Sequence, residues 1–205
     1  MNKMVKMAIV FVALAAMFSF AEEGMKYGVR AGFSLYDYSS GEGEMDKYVN
    51  KGYGFGAGFV ANIPIASSLS FAPEVNFLYR KPMIVDLDGV PLMGYKIWVT
   101  EFAISIFPML RFTPSESTPF YLTAGALLDV PIASKRTKKS AGNEVTENYE
   151  DRSSLDFGIP LGLGYLIIPN LGVDLRAVIG ITSPKDDSES KDSWNQYGLG
   201  LTYYF

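Results

Sequence analysis

The side chains that could do chemistry in this chain are charged residues standing among apolar and small neighbours. They are four arginines and five carboxylates: Arg30, Glu74, Arg80, Glu101, Arg111, Asp129, Asp156, Asp174 and Arg176. Gathered on one inner face, they could form a polar pathway for small solutes or protons. They could also form a structural network of salt bridges, for example Glu74 or Glu101 with an arginine such as Arg80, Arg111 or Arg176. Unpaired buried charge is costly and the two signs nearly balance, so we predict the structural network.

The composition excludes several other chemistries. The chain contains no Cys and no His, which excludes disulfides, thiolate metal sites, a lipid-modified Cys anchor and hydrolases that need a His base. The carboxylate pairs Asp86 with Asp88 and Asp186 with Asp187 could bind Ca²⁺, but neither has the spacing of a full ligand set. We therefore predict no enzymatic activity, no cofactor and no metal.

Eight segments in which apolar and polar residues alternate must position these charges. They cover residues 27–35, 53–63, 69–80, 98–112, 120–130, 156–165, 171–180 and 197–205. The long polar gaps between them are Asp37–Gly52, Lys81–Gly94, Ser134–Ser153 and Thr182–Trp194, and the short gaps are Pro64–Ser68, Thr113–Pro119 and Ile167–Asn170. Long loops at one end and tight turns at the other are typical of outer-membrane barrels. The pattern predicts an all-β, eight-stranded antiparallel up-and-down transmembrane β-barrel with both termini in the periplasm.

The composition of the two faces favours a membrane barrel over a soluble barrel of the lipocalin type. The polar face is rich in Gly and nearly free of Lys, whereas the long loops hold most of the lysines. A narrow interior needs small residues and paired charges. On the apolar face, aromatic residues lie near the strand ends, as in the girdles at membrane interfaces. Pro73 and Pro160 remove donors from the strand ladders, and we expect β-bulges at both.

The N-terminus predicts a cleaved signal peptide over residues 1–21. Lys3 and Lys6 precede an apolar stretch, Met7–Met17, and small residues at Ser19 and Ala21 suit a signal peptidase. The alternative, an uncleaved membrane helix, needs a longer apolar stretch. Cleavage would leave a barrel of residues 22–205 with 16 basic and 22 acidic side chains, since two of the 18 basic residues are removed. That net negative charge excludes a basic footprint for nucleic acid.

Several short motifs, in this order and spacing, resemble the PorT-type outer-membrane β-barrel family, which shares the plan of the OmpA transmembrane domain. They are residues 27–32 (YGVRAG), 54–59 (GFGAGF), 73–75 (PEV), 120–125 (FYLTAG), 156–165 (DFGIPLGLGY) and 198–205 (GLGLTYYF). The resemblance implies the fold and an outer-membrane location in a Gram-negative bacterium, without a common activity. It also implies that Leu201, Tyr203 and Phe205 form the C-terminal signal read by the outer-membrane assembly machinery.

The sequence leaves three functions open. We favour a structural or surface-interaction protein, a monomer without a large open pore. The alternatives are a narrow or gated channel for small solutes and a periplasmic lipid-binding barrel. The basic run Lys135–Lys139, which precedes the acidic stretch Glu144–Asp151, could contact lipopolysaccharide, although a mobile solvated loop is the simpler interpretation. Expected partners are therefore outer-membrane lipid, lipopolysaccharide and the assembly machinery, and no nucleic acid.

Overall fold

A computed structural model describes residues 24–39, 48–87, 94–115, 117–140, 143–149, 152–183 and 193–205. Within these ranges lie twelve strands: β1 (Lys26–Ser39), β2 (Val49–Ala66), β3 (Leu69–Phe71), β4 (Glu74–Asp86), β5 (Tyr95–Phe107), β6 (Met109–Phe112), β7 (Phe120–Gly125), β8 (Leu127–Ser140), β9 (Asn143–Asn148), β10 (Asp156–Ile168), β11 (Leu171–Gly180) and β12 (Ser193–Tyr204). In the part of the chain covered by these ranges, no helix is long and apolar enough to cross a membrane. The predicted signal peptide, residues 1–21, lies outside the described residues.

Eleven of these strands form the eight spans of a closed barrel, because three of the spans are each interrupted once. Short interruptions divide β3 from β4, β5 from β6 and β7 from β8, and hydrogen bonds such as Ala72 N to Met109 O (2.8 Å) bridge the breaks. The first strand, β1, pairs antiparallel with β2 on one side and with β12 on the other. The prediction of an eight-stranded antiparallel up-and-down barrel is confirmed.

The bulges predicted at Pro73 and Pro160 are wrong. The register of β2 with β3 and β4 passes Pro73 without a shift, and Pro160 lies directly opposite Val178. At Pro160, the ladder to β7 stops at Leu161 and the ladder to β8 resumes at Gly158. The N–H that Pro160 lacks would therefore point into the gap between the two ladders. The strands keep their register there, and no bulge forms.

The long connection predicted over Ser134–Ser153 is partly wrong, because β8 continues to Ser140 and stays paired with β5 up to Tyr95. Residues Asn143–Asn148 then form β9, which pairs with β8 as a hairpin. The basic run Lys135–Lys139 therefore lies within a strand and not in a loop. This hairpin extends the sheet past the barrel wall on the side of the long connections.

The outer surface of the barrel is apolar and its interior carries the charges. Outward side chains such as Leu175 (62% exposed), Leu161 (49%) and Phe102 (55%) remain accessible, whereas all nine predicted lumen charges are at most 8% exposed. Aromatic rings pair on the outer face near both strand ends, as in Phe120 with Tyr165, whose centroids lie 4.9 Å apart. A soluble lipid-binding barrel would need the reverse arrangement, with an apolar interior.

Candidate functional site: a closed lumen with two charge clusters

The lower cluster lies nearer the short turns and joins β1, β4 and β11. We define it as Arg30, Glu74, Asp174 and Arg176. Arg30 donates two hydrogen bonds to Asp174, at 2.7 and 2.8 Å. Arg176 donates two to Glu74, at 2.9 and 2.8 Å, and the Arg30 Nε lies 3.4 Å from the same carboxylate. Two arginines and two carboxylates therefore form a neutral cluster in which each carboxylate accepts two hydrogen bonds from one guanidinium. Buried ion pairs require such well-aligned hydrogen bonds.

Arg111 differs from the other predicted lumen arginines. Its guanidinium carbon lies 3.7 Å from the centre of the Tyr121 ring, and its Nη1 lies 3.2 Å from the Tyr204 hydroxyl, to which it donates a hydrogen bond. Among the described residues, no carboxylate lies within salt-bridge distance of it. The structure thus places Arg111 in the lumen between two tyrosines, not in one of the salt bridges suggested from the sequence.

The upper cluster lies nearer the long connections. We define it as Arg80, Glu101, Asp129, Arg152 and Asp156. Arg80 connects two strands, because its Nε lies 2.9 Å from Glu101 and its Nη2 lies 2.5 Å from Asp129. The remaining oxygens of these carboxylates accept hydrogen bonds from serine hydroxyls, those of Ser134 (3.1 Å) and Ser105. The cluster is almost fully desolvated, since Glu101 and Asp129 are 0% exposed.

Sequence reasoning missed Arg152, which completes the upper cluster. It precedes β10, outside every alternating segment, so no periodic signal placed it in the lumen. Its guanidinium nevertheless contacts Glu101 and donates to Asp156 at 3.0 and 2.5 Å. Burial alone would lower the pKa of Arg152, but the two carboxylates raise it above its ordinary value, so the group stays charged. With Arg152 included, five buried arginines face five buried carboxylates.

A group of apolar side chains packs in the lumen beside the two clusters. Phe107, Met109, Leu127, Val178 and Trp194 pack together in the lumen and are at most 8% exposed. Leu127 precedes Asp129 of the upper cluster on β8, Val178 follows Arg176 of the lower cluster on β11, and Phe107 lies opposite Glu74. Two cavities beside this group, one at the outer mouth near Tyr36 and one near Asn76, each measure about 40 Å³. Each holds a few water molecules at most, so side chains fill most of the lumen around the described residues.

The predicted assembly signal lies on the outer face of β12. Leu201 and Tyr203 are each 48% exposed and Phe205 is 72% exposed. The alternate residues Thr202 and Tyr204 point inward and are buried. The three outward side chains therefore form one continuous apolar row at the end of the last strand. Elsewhere, the described ranges contain no group of acidic side chains suited to a metal ion.

A family model described as an outer membrane protein β-barrel domain matches residues 18–185. The chain belongs to this family. Family membership and the closed barrel together identify an outer-membrane β-barrel protein. No curated protein matches the chain.

The solved structures that share the barrel fold include the following two. Neisserial surface protein A (NspA) is 17% identical with a TM-score of 0.51, and the match covers 89% of this chain and 100% of NspA. Ail, the attachment invasion locus protein of Yersinia pestis, solved in complex with the heparin analogue sucrose octasulfate, is 14% identical with a TM-score of 0.50; the match covers 88% of this chain and 99% of Ail. At these identities the likeness concerns the fold alone.

Proposed function

We propose that this outer-membrane barrel has a structural or surface-interaction role and forms no large open pore. The observation that carries the proposal is the filled lumen, in which two ion-pair clusters and a group of packed apolar side chains occupy the interior. The β8–β9 hairpin, which projects beyond the barrel wall, then provides a surface for contact with other molecules. The same fold serves a Neisserial surface protein and an attachment protein, so the plan is compatible with such a role.

The proposal includes an orientation and a route to the membrane. The chain is exported with residues 1–21 as a cleaved signal, Leu201, Tyr203 and Phe205 are read by the assembly machinery, and the barrel is a monomer of the PorT type. Both termini and the short turns face the periplasm, and the β8–β9 hairpin faces the medium.

Single-cysteine labelling tests the orientation, because the native chain has no Cys. Val145→Cys on β9 (Val145 is 62% exposed) should react with a membrane-impermeant maleimide on intact cells. The matched control Asn170→Cys, in the exposed β10–β11 turn, should react only after the outer membrane is permeabilised. The opposite pattern would contradict the orientation, and recovery of the protein in the soluble periplasmic fraction would contradict the membrane role in favour of a lipid-binding barrel.

Conductance in planar bilayers tests the closed lumen. We expect bilayers containing the refolded protein to conduct no more than bare bilayers. The alternative function is a narrow or gated channel for small solutes. The observation that favours it is the position of Arg152, the one lumen arginine that lies in a connection and not in a strand. Steps of conductance in the native protein, or in Arg152→Met alone, would favour that alternative.

A further inference from the structure

Lysines gather on the outer faces of β4, β5 and β8, above the aromatic residues at the long-connection end. We define the outer lysine patch as Lys81, Lys96, Lys135 and Lys139. In the register of β5 and β8, Thr100 lies opposite Lys135 and Lys96 lies opposite Lys139. The Lys81 ammonium lies 5.7 Å from the centre of the Trp98 ring, which the patch surrounds.

The level of the patch can be measured from the aromatic pair Tyr79 and Phe102, whose ring centroids lie 5.2 Å apart on the outer face. Phe102 lies opposite Ala133, so Lys135 is two residues and Lys139 six residues further along β8. At about 3.3 Å per residue and a strand tilt of about 40°, these lysines lie roughly 5 and 15 Å above the aromatic pair. Lipid headgroups and the first sugars attached to them occupy this interval.

In the structure, the side chains of the basic run Lys135–Lys139 point to two opposite faces of the sheet. Arg136 and Lys138 point to the opposite face of the sheet from Lys135. The Arg136 guanidinium pairs with Glu147 at 2.6 Å, and the Lys138 ammonium lies 4.4 Å from the centre of the Tyr95 ring. Only Lys135 and Lys139 therefore face the membrane side, where Lys81 and Lys96 join them from other strands.

Within the described ranges, the patch carries more positive charge than its neighbours neutralise. Lys96 pairs with Asp86 at 2.7 Å, and Glu144 lies opposite Lys139 in the β8–β9 register. Four lysines thus face two described carboxylates. On the opposite side of the barrel, the described outer ends of β1, β11 and β12 contain no lysine or arginine. The excess of positive charge is one-sided and lies at headgroup level.

We propose that the outer lysine patch binds the phosphates of the lipid A headgroup of lipopolysaccharide. The inference rests on the proposed function, which places this end of the barrel in the outer leaflet. A phosphorylated glucosamine headgroup supplies anions at the level of Lys81 and Lys135, and its core sugars continue upward past Lys96 and Lys139. Ammonium groups bind phosphate as point charges, and each contributes about 1 kcal/mol near an anionic membrane surface.

The test compares two double variants of the same run in nanodiscs: Lys135→Gln with Lys139→Gln on the outward face, and Arg136→Gln with Lys138→Gln on the opposite face. Both remove two positive charges. The probes are diphosphorylated lipid A, the same lipid after phosphatase treatment, and phosphatidylglycerol. Heat-modifiable migration in gels first shows that each variant is folded.

We expect the variant with Lys135→Gln and Lys139→Gln to bind diphosphorylated lipid A about thirty-fold more weakly than the native protein, from two contacts of about 1 kcal/mol each. The variant with Arg136→Gln and Lys138→Gln should bind it within about three-fold of the native protein. Equal losses in both variants, or equal binding of phosphatase-treated lipid A or phosphatidylglycerol, would overturn the proposal. A barrel that inserts and labels as expected but fails this test refutes the lipid A site alone. A chain that never inserts refutes the proposed function itself.

Discussion

Replacing Arg176 with Met should destabilise the barrel by about 3–5 kcal/mol, the usual cost of removing one partner from a buried ion pair. Arg176 donates two hydrogen bonds to Glu74, at 2.8 and 2.9 Å, and is 8% exposed. Without it, the lower cluster would hold two carboxylates and one arginine, Arg30. Arg30 donates both Nη groups to Asp174 and its Nε lies 3.4 Å from Glu74, so its single positive charge would face two buried carboxylates.

The double variant Glu74→Met with Arg176→Met separates a lost ion pair from a packing defect. It leaves Arg30 and Asp174 as a balanced pair, so most of the stability should return. Arg111→Met gives a second comparison. Since Arg111 contacts two tyrosine side chains and no described carboxylate, we expect its loss to cost about 0.5–2 kcal/mol.

Urea unfolding in lipid vesicles, followed by heat-modifiable gel migration, measures these differences. We expect the urea midpoint to fall from the native protein to Arg111→Met and further to Arg176→Met, with the double variant above Arg176→Met alone. If Arg176→Met unfolds at the native midpoint but changes bilayer conductance, the charges serve transport and the structural interpretation is refuted. If the double variant is no more stable than the single one, the ion pair is not the source of the loss.

Three further variants test other contacts. Gly164→Ala should cost about 1–3 kcal/mol in the same assay, because an added Cβ would overlap the Tyr121 ring. Gly172→Ala, whose Cβ would lie 3.2 Å from the Tyr121 hydroxyl, is the milder control. Arg152→Met should cost about 3–5 kcal/mol, since three buried carboxylates would remain with one arginine, and an unchanged midpoint would refute this. Phe205→Ala should lower the folded, heat-modifiable fraction in cells; a normal fraction would exclude this residue from the assembly signal.

Much of the architecture could be predicted because a strand repeats every two residues and a closed barrel has only two faces. The phase of Arg30, Asp174 and Arg176 within their strands was sufficient to assign a face, and the structure places all three inside. Loop lengths that alternate between long and short then gave the order of the strands. Whether the buried charges serve stability or transport stays a prediction that the variants above address.

Pairings and local exceptions could not be predicted from alternation. Arg152 lies in a connection, where no period applies, yet it reaches Glu101. The basic run looked like a loop because it stands in the polar stretch Ser134–Ser153, but a long strand such as β8 can continue beyond the barrel wall when a second strand pairs with it. The lower cluster joins residues far apart in sequence, and the choice of partner depends on barrel stagger, which one sequence does not report.

The reach of Arg30 has a consequence for how the barrel closes. Its guanidinium crosses the last strand over Gly200 and forms an ion pair with Asp174 on β11. This contact therefore requires a residue without a side chain at that position of β12. A slip of β12 by one residue would bring Leu199 or Leu201 under the guanidinium in place of Gly200, and every outward residue would turn inward. The carboxylate would then be out of reach. The Arg30–Asp174 ion pair therefore favours the alignment in which Gly200 lies beneath it over an alignment of β12 shifted by one residue.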